Sequence, residues 1–430
     1  PRYQRSIRID ADFGQADPLS GYVLQGSARD ALTTTLRLAT NGQGAFTWTG
    51  PYGGGKSSLA LALASYSLGR GPAYREAKQL LGDVPEVADV FGRAPKDWLC
   101  VPVSGRRGNP VGDLREAVAS AIAGEPGHAR TKRSKMEAAD GRDIVERLQR
   151  EVEARPKGGV LVIVDELGKY LEGAADHAID IHFFQDLAEA ANRSEGRLIV
   201  VGVLHQAFER YADRLGQSVQ DEWRKIQGRF ADVPIITAVD EVIELVGRAV
   251  TTERSHPQSH AIAAVVASEI AERRPGVPKD LAERLGDCWP LNPAAAALLG
   301  PITRRRFSQN ERSLFGFLAS AEPNGFTEFL QRTTLASGRT FGPAELWDYL
   351  QVNLEPAIMA SPDGHRWAQA AEAIARAARD GNYLRLQIAK TVAVIDLFSN
   401  GSGLAASFRI IAASLEQSDA DVEEQLAGLV

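Results

Sequence analysis

The stretch Gly50-Pro51-Tyr52-Gly53-Gly54-Gly55-Lys56-Ser57 decides how the rest of this chain is read. It satisfies G-x-x-x-x-G-K-[ST], and the chemistry of a bound polyphosphate explains the spacing. Glycines let backbone N–H groups converge on phosphate oxygens with no Cβ in the way. A helix starting at Ser57 turns its partly positive amino end towards the anion. Lys56 reaches the β- and γ-phosphates, and Ser57 offers a hydroxyl to Mg²⁺. The context agrees with the motif. Ala45-Phe46-Thr47-Trp48-Thr49 reads as a buried strand entering the loop, and a helical pattern leaves it. Gly50 through Ser57, with Ser58 behind them, are therefore the candidate contacts for ATP.

Downstream, the apolar run Val160-Leu161-Val162-Ile163-Val164 ends in Asp165-Glu166. An aspartate at a strand end can hold Mg²⁺ through its water shell, and the adjacent glutamate can polarise an attacking water. An Asp-Glu pair also caps helices, but the glycine-rich loop upstream favours the catalytic reading. Both acids together point to the ATP-hydrolysing division of such folds. The guanine-selective pattern [NT]-K-x-D is missing from the chain.

Further strands are expected at Trp98–Val103, Leu198–Leu204 and Val233–Thr237, separated by helical patterns such as 28–39 and 111–123. Continuous apolar strands alternating with helices imply a parallel α/β sheet covered on both faces. The chain has 430 residues, enough for two to four domains. We read 1–20 as a polar, irregular N-terminal segment and 21–240 as the α/β core. Residues 241–330 form a helical lid and 331–430 a further, mainly helical domain. The basic stretch 124–140, with Arg130, Lys132, Arg133 and Lys135, reads as an exposed insertion.

The net charge of −6 excludes a uniformly basic nucleic-acid coat while leaving room for a local basic patch. Cys100 and Cys288 match no metal-ligand spacing and suit a reducing, cytoplasmic setting. No apolar run is long enough to span a bilayer.

In this order the pieces resemble AAA+ P-loop ATPases of the initiator and origin-recognition kind, over about residues 20–330. The resemblance implies further site residues. His205 or Gln206, after the strand 198–204, would touch the γ-phosphate or the attacking water; a structural histidine is the alternative. Arg229, in Gln227-Gly228-Arg229-Phe230, would be the arginine finger that completes a neighbour's site, with Arg224 as second choice. Arg312 would be the lid arginine that senses the phosphates, with Arg304, Arg305 and Arg306 as competitors. The segments Asp165–Glu172, Leu204–Gln206, Gln227–Phe230 and Gln309–Arg312 look closest to the large ATP-binding proteins of BREX-type anti-phage defence, which are much longer than this chain. That likeness implies a homo-oligomer or an assembly with other defence proteins, with DNA as a further partner. A nucleotide-dependent signalling switch of the STAND type, with slow turnover, is the alternative function.

At the C-terminal end, helices are expected over Arg385–Phe398, Leu404–Leu415 and Asp419–Leu429, with Asn400-Gly401-Ser402-Gly403 as a break and Asp419 as an N-cap. Three short helices resemble the start of a winged helix. The last one carries Asp419, Asp421, Glu423 and Glu424, the wrong charge for reading a DNA groove, so packing or protein contact is the better expectation.

Overall fold

The computed structural model describes residues 7–51, 54–92, 97–124, 141–177, 182–211, 217–236, 238–250, 256–305, 314–319, 322–334 and 338–427. The chain divides into two compact units, one from Arg5 to Thr237 and one from Ala238 to Val430.

The first unit is built on five parallel strands: β1 (Ala45–Thr49), β2 (Trp98–Ser104), β3 (Gly159–Asp165), β4 (Leu198–Leu204) and β5 (Ala231–Pro234). Their order across the sheet is β2-β3-β4-β1-β5. β3 and β4 are buried along their whole length because helices cover both faces. Period-two alternation sorts the side chains. Phe46, Trp48, Leu161, Ile163 and Val201 share a core with the helix Lys56–Ser67. Ala45, Val162, Val164 and Val200 pack on the other face with the helices Pro110–Ala123, Gly141–Glu153 and His182–Asn192.

The polar residues of β1 are satisfied locally, as burial requires. Thr47 and Thr49 donate to the two carboxylate oxygens of Asp232 on β5, at 2.7 and 3.2 Å. The Trp48 indole donates to Thr35 on the helix Gly26–Thr40, at 2.9 Å.

Four local expectations are corrected. β5 begins two residues earlier than Val233 and ends at Pro234. Its partner β1 stops at Thr49, and after Ile235 N–H has bonded Thr49 O at 2.6 Å the departing loop offers no further ladder. The described part of the N-terminal segment is not merely polar and irregular. It contains a short helix, Ile9–Asp12, and buries Ile9, Phe13 and Leu19 in the sheet's core. Near the C-terminus the middle helix starts at Phe408, not Leu404, capped by Ser407 at 3.3 Å from Ile410 N. The last helix is capped by Ser418, which accepts from Asp421 N at 3.2 Å, so Asp419 is its first residue and not its cap.

The regular elements of the second unit are helices, joined by turns and loops, with one isolated bridge between Leu291 and Phe341 among its described residues. One continuous core joins Val242, Leu298 and Phe341 with Trp347, Trp367 and Ile410, so residues from 241–330 and from 331–430 share it. Trp347 and Trp367 stack with ring centroids 4.1 Å apart. The helices Tyr383–Ser402, Phe408–Leu415 and Asp419–Ala427 close a smaller cluster around Ile388, Ile411 and Val422. No helix among the described residues is long and apolar enough to cross a membrane.

Candidate active site

Parallel strands end together, so the sheet brings the loops after β1, β3 and β4 to one edge. In open α/β sheets that carboxyl edge is where ligands bind. The register pairs Thr49 with Leu204, so Gly50 and His205 each follow directly on a paired strand end. Ser104 pairs with Asp165 at the end of β2.

The loop after β1 is shaped by close approaches that only glycine permits. A Cβ on Gly50 would lie 2.1 Å from Ile235 O. Gly55 adopts φ +72°, ψ 9° and hands the chain to the helix Lys56–Ser67, whose first turn opens with Leu59 N bonding Gly55 O at 2.9 Å. The amino end of this 12-residue helix therefore faces the loop. Lys56 is 4% exposed, and its ammonium donates to Gly50 O at 2.7 Å and Pro51 O at 2.5 Å. Gly54, Ser57 and Ser58 are half-buried around it. Tyr52 and Gly53 lie outside the described residues.

Ser57 Oγ donates to Asp165 Oδ1 at 3.0 Å, which joins the end of β1 to the end of β3. Asp165 is 2% exposed. Burial pushes its carboxyl up to about 6, against the opposing pull of the Ser57 hydrogen bond; the nearby Glu166 charge raises it further, while Lys56 lowers it. The half-buried Ser57 hydroxyl and the buried Asp165 carboxyl are hard oxygen donors of the kind that suits Mg²⁺.

Glu166 sits at φ +54°, a left-handed conformation that costs a non-glycine residue about 1–3 kcal/mol and clusters at functional sites. Its N–H donates to Asp165 Oδ1 at 3.0 Å, and its carboxylate pairs with Lys169. Gly105, after β2, packs so closely here that a Cβ would lie 2.2 Å from Glu166 O. Its N–H donates to Asp165 O at 2.6 Å. His205 and Gln206 follow β4 as half-buried residues at this same edge.

Arg229 lies elsewhere. It precedes β5, and its carbonyl accepts from Asn192 Nδ2 at 2.9 Å and Gln43 Nε2 at 3.3 Å, on the amino side of β1. The length of β1, five residues at about 3.3 Å each, separates it from the glycine-rich loop. That is further than an arginine side chain reaches. Its guanidinium is half-exposed and pairs with Glu189 at 3.2 Å. The second choice, Arg224, is exposed and pairs with Asp221 at 2.7 Å. In the helical unit, Arg312 and Arg306 lie outside the described residues. Arg305 pairs with Asp363 and covers the Phe398 ring at 5.1 Å, so it has a packing role.

Sequence reasoning assigned no role to Gly105, Lys169 or Tyr22. Lys169 was legible as an i, i+3 partner of Glu166. Gly105 was not, because its neighbour is 61 residues away in the chain. Tyr22 lies against Gly55, whose added Cβ would be 3.1 Å from the ring. Its hydroxyl is buried with no hydrogen-bond partner among the described residues, and burial raises its pKa.

No protein-family model matches this chain, and no curated protein matches it either.

Proposed function

We propose that the unit 5–237 is a P-loop ATPase core of the AAA+ kind, which binds ATP with Mg²⁺ and hydrolyses it. The observation that carries this reading is the convergence of Lys56, Ser57, Asp165 and Glu166, with the Ser57–Asp165 bond at 3.0 Å as its centre. The strand order supports it. β4 lies between the loop strand β1 and the acidic strand β3, as in the additional-strand, catalytic-glutamate division.

The roles follow from chemistry. Backbone N–H groups of the loop and the amino end of Lys56–Ser67 hold the phosphate oxygens. The Lys56 ammonium exchanges the carbonyls of Gly50 and Pro51 for phosphate oxygens. Ser57 and Asp165 would hold Mg²⁺, which would supply positive charge against the phosphates. Glu166 accepts a proton as water attacks the γ-phosphorus and the bond to the leaving ADP oxygen breaks. His205 or Gln206 orients that water from the end of β4.

Arg229 stands too far from its own loop to act there, which supports its use on a neighbouring subunit. The active form is then an assembly of copies. Partner proteins of the anti-phage defence kind, or DNA, are what its ATP cycle acts on.

The test is steady-state ATP turnover by the full chain. Glu166→Gln keeps nucleotide binding and slows turnover by about 10³-fold, the range of a lost general base. Turnover at the wild-type rate in that variant overturns the assignment.

A further inference from the structure

The surroundings of Glu166 contain a feature that the hydrolytic roles leave unused. Its main chain is held from three sides. Its N–H donates to Asp165 Oδ1 at 3.0 Å, its carbonyl accepts from Lys169 N at 3.0 Å, and Gly105 packs against that carbonyl. A backbone fixed in this way at φ +54° leaves the side-chain torsions as the carboxylate's only freedom. What those torsions choose depends on the carboxylate's partner. That partner is Lys169, in the first turn of the helix Leu167–His177, whose ammonium engages Oε2.

An ammonium on Oε2 takes up one of that oxygen's acceptor sites and draws the carboxylate toward the helix, leaving Oε1 as the freer acceptor for a hydrogen from water. The pair is also open to solvent. Lys169 is 48% exposed and Glu166 34%, so solvent competes for both ends.

We propose that Lys169 is a positioning residue which holds the Glu166 carboxylate in a resting orientation, and that this pair opens in each hydrolytic cycle. Lys169 thereby acts as a brake on turnover without ATP contacts of its own. The inference rests on the reading of Glu166 as the general base.

The experiment measures kcat and KM for ATP in the wild type, Lys169→Met, Lys169→Arg and Glu166→Gln. Lys169→Met keeps most of the stem and removes the charge. Its kcat rises about two- to fivefold, the population of free carboxylate released by deleting a half-exposed ion pair, and its KM is unchanged. Lys169→Arg restores the cation and returns kcat to the wild-type value, which a merely structural role would not require. A kcat in Lys169→Met at or below the wild-type value overturns the brake.

Binding of a fluorescent ATP analogue, run in parallel, separates this result from misfolding. If Lys169→Met does not bind the analogue, Lys169→Gln takes its place under the same criterion. If the wild type turns over ATP and Glu166→Gln does not, the base assignment stands whatever Lys169 does. If Glu166→Gln is as fast as the wild type, the base assignment and the brake fall together.

Discussion

The two edges of the central sheet are made from the same strands but built for different work. At the carboxyl edge, main chain and side chains crowd together. Lys56 and Asp165 are almost fully buried, Gly50 and Gly105 touch neighbouring carbonyls, and Glu166 holds a left-handed conformation. At the amino edge, Asn192 ties the start of β1 to the turn before β5, and Arg229 stands half-exposed with Glu189. A buried, strained edge is suited to holding an anion and a cation in one geometry. A half-exposed arginine on a braced turn is suited to meeting another surface. Reading both as one enzyme requires that the amino edge of one copy serves the carboxyl edge of the next.

The sharpest way to break this comparison is Arg229→Ala. Turnover should fall by about 10³-fold, with ATP binding retained, because a finger's charge stabilisation is lost. Mixing that variant with Lys56→Ala should recover part of the activity, since each supplies what the other lacks. No recovery at any ratio separates the two edges into unrelated features.

A smaller effect concerns stability at the carboxyl edge. The Asp165 carboxyl is raised from 3.8 to about 6 by burial, so folding favours its protonated form. The sign follows from linkage. Its contribution is fully present below about pH 4 and is lost as pH rises through about 6, to the extent of about 3 kcal/mol. Urea unfolding without metal at several pH values should show this loss, and Asp165→Asn should remove that component. Mg²⁺ should offset it above pH 6, whereas no change at the amino edge should touch it.

The smallest effect belongs to Asn192→Ala. Its Oδ1 accepts from Gly44 N at 2.7 Å and Ala45 N at 3.1 Å, so its loss leaves donors unpaired and should cost about 1–3 kcal/mol. Nucleotide affinity should stay unchanged while turnover falls with the displaced Arg229. A loss of affinity would mean that the two edges are not separable.

Some of this was legible from local pattern. The strand Ala45–Thr49 and the strand Leu198–Leu204 are found with the boundaries read from the sequence, because unbroken apolar or β-branched runs leave few other conformations. The loop Gly50–Ser57 and the pair Asp165-Glu166 are contiguous residues whose spacing is itself the chemistry. β5 was misplaced by two residues, since its extent depends on where its partner β1 stops. The burial of Ile9, Phe13 and Leu19 was not legible, because the apolar residues here are few and interleaved with charges, and the helix Ile9–Asp12 is too short to show a period.

What the sequence by itself determined is therefore the parts: a glycine-rich loop between strand and helix, an acidic strand end, and a change to helices beyond about residue 240. Tertiary structure decided their relations. The order β2-β3-β4-β1-β5 brought the end of β4, before His205, beside the end of β1, before Gly50, and set Ser57 on Asp165, over a chain separation of 108 residues. It also sent Arg229 to the far edge. The physical reason is that motifs are written in neighbouring residues, whereas strand order is settled by which faces can be buried together.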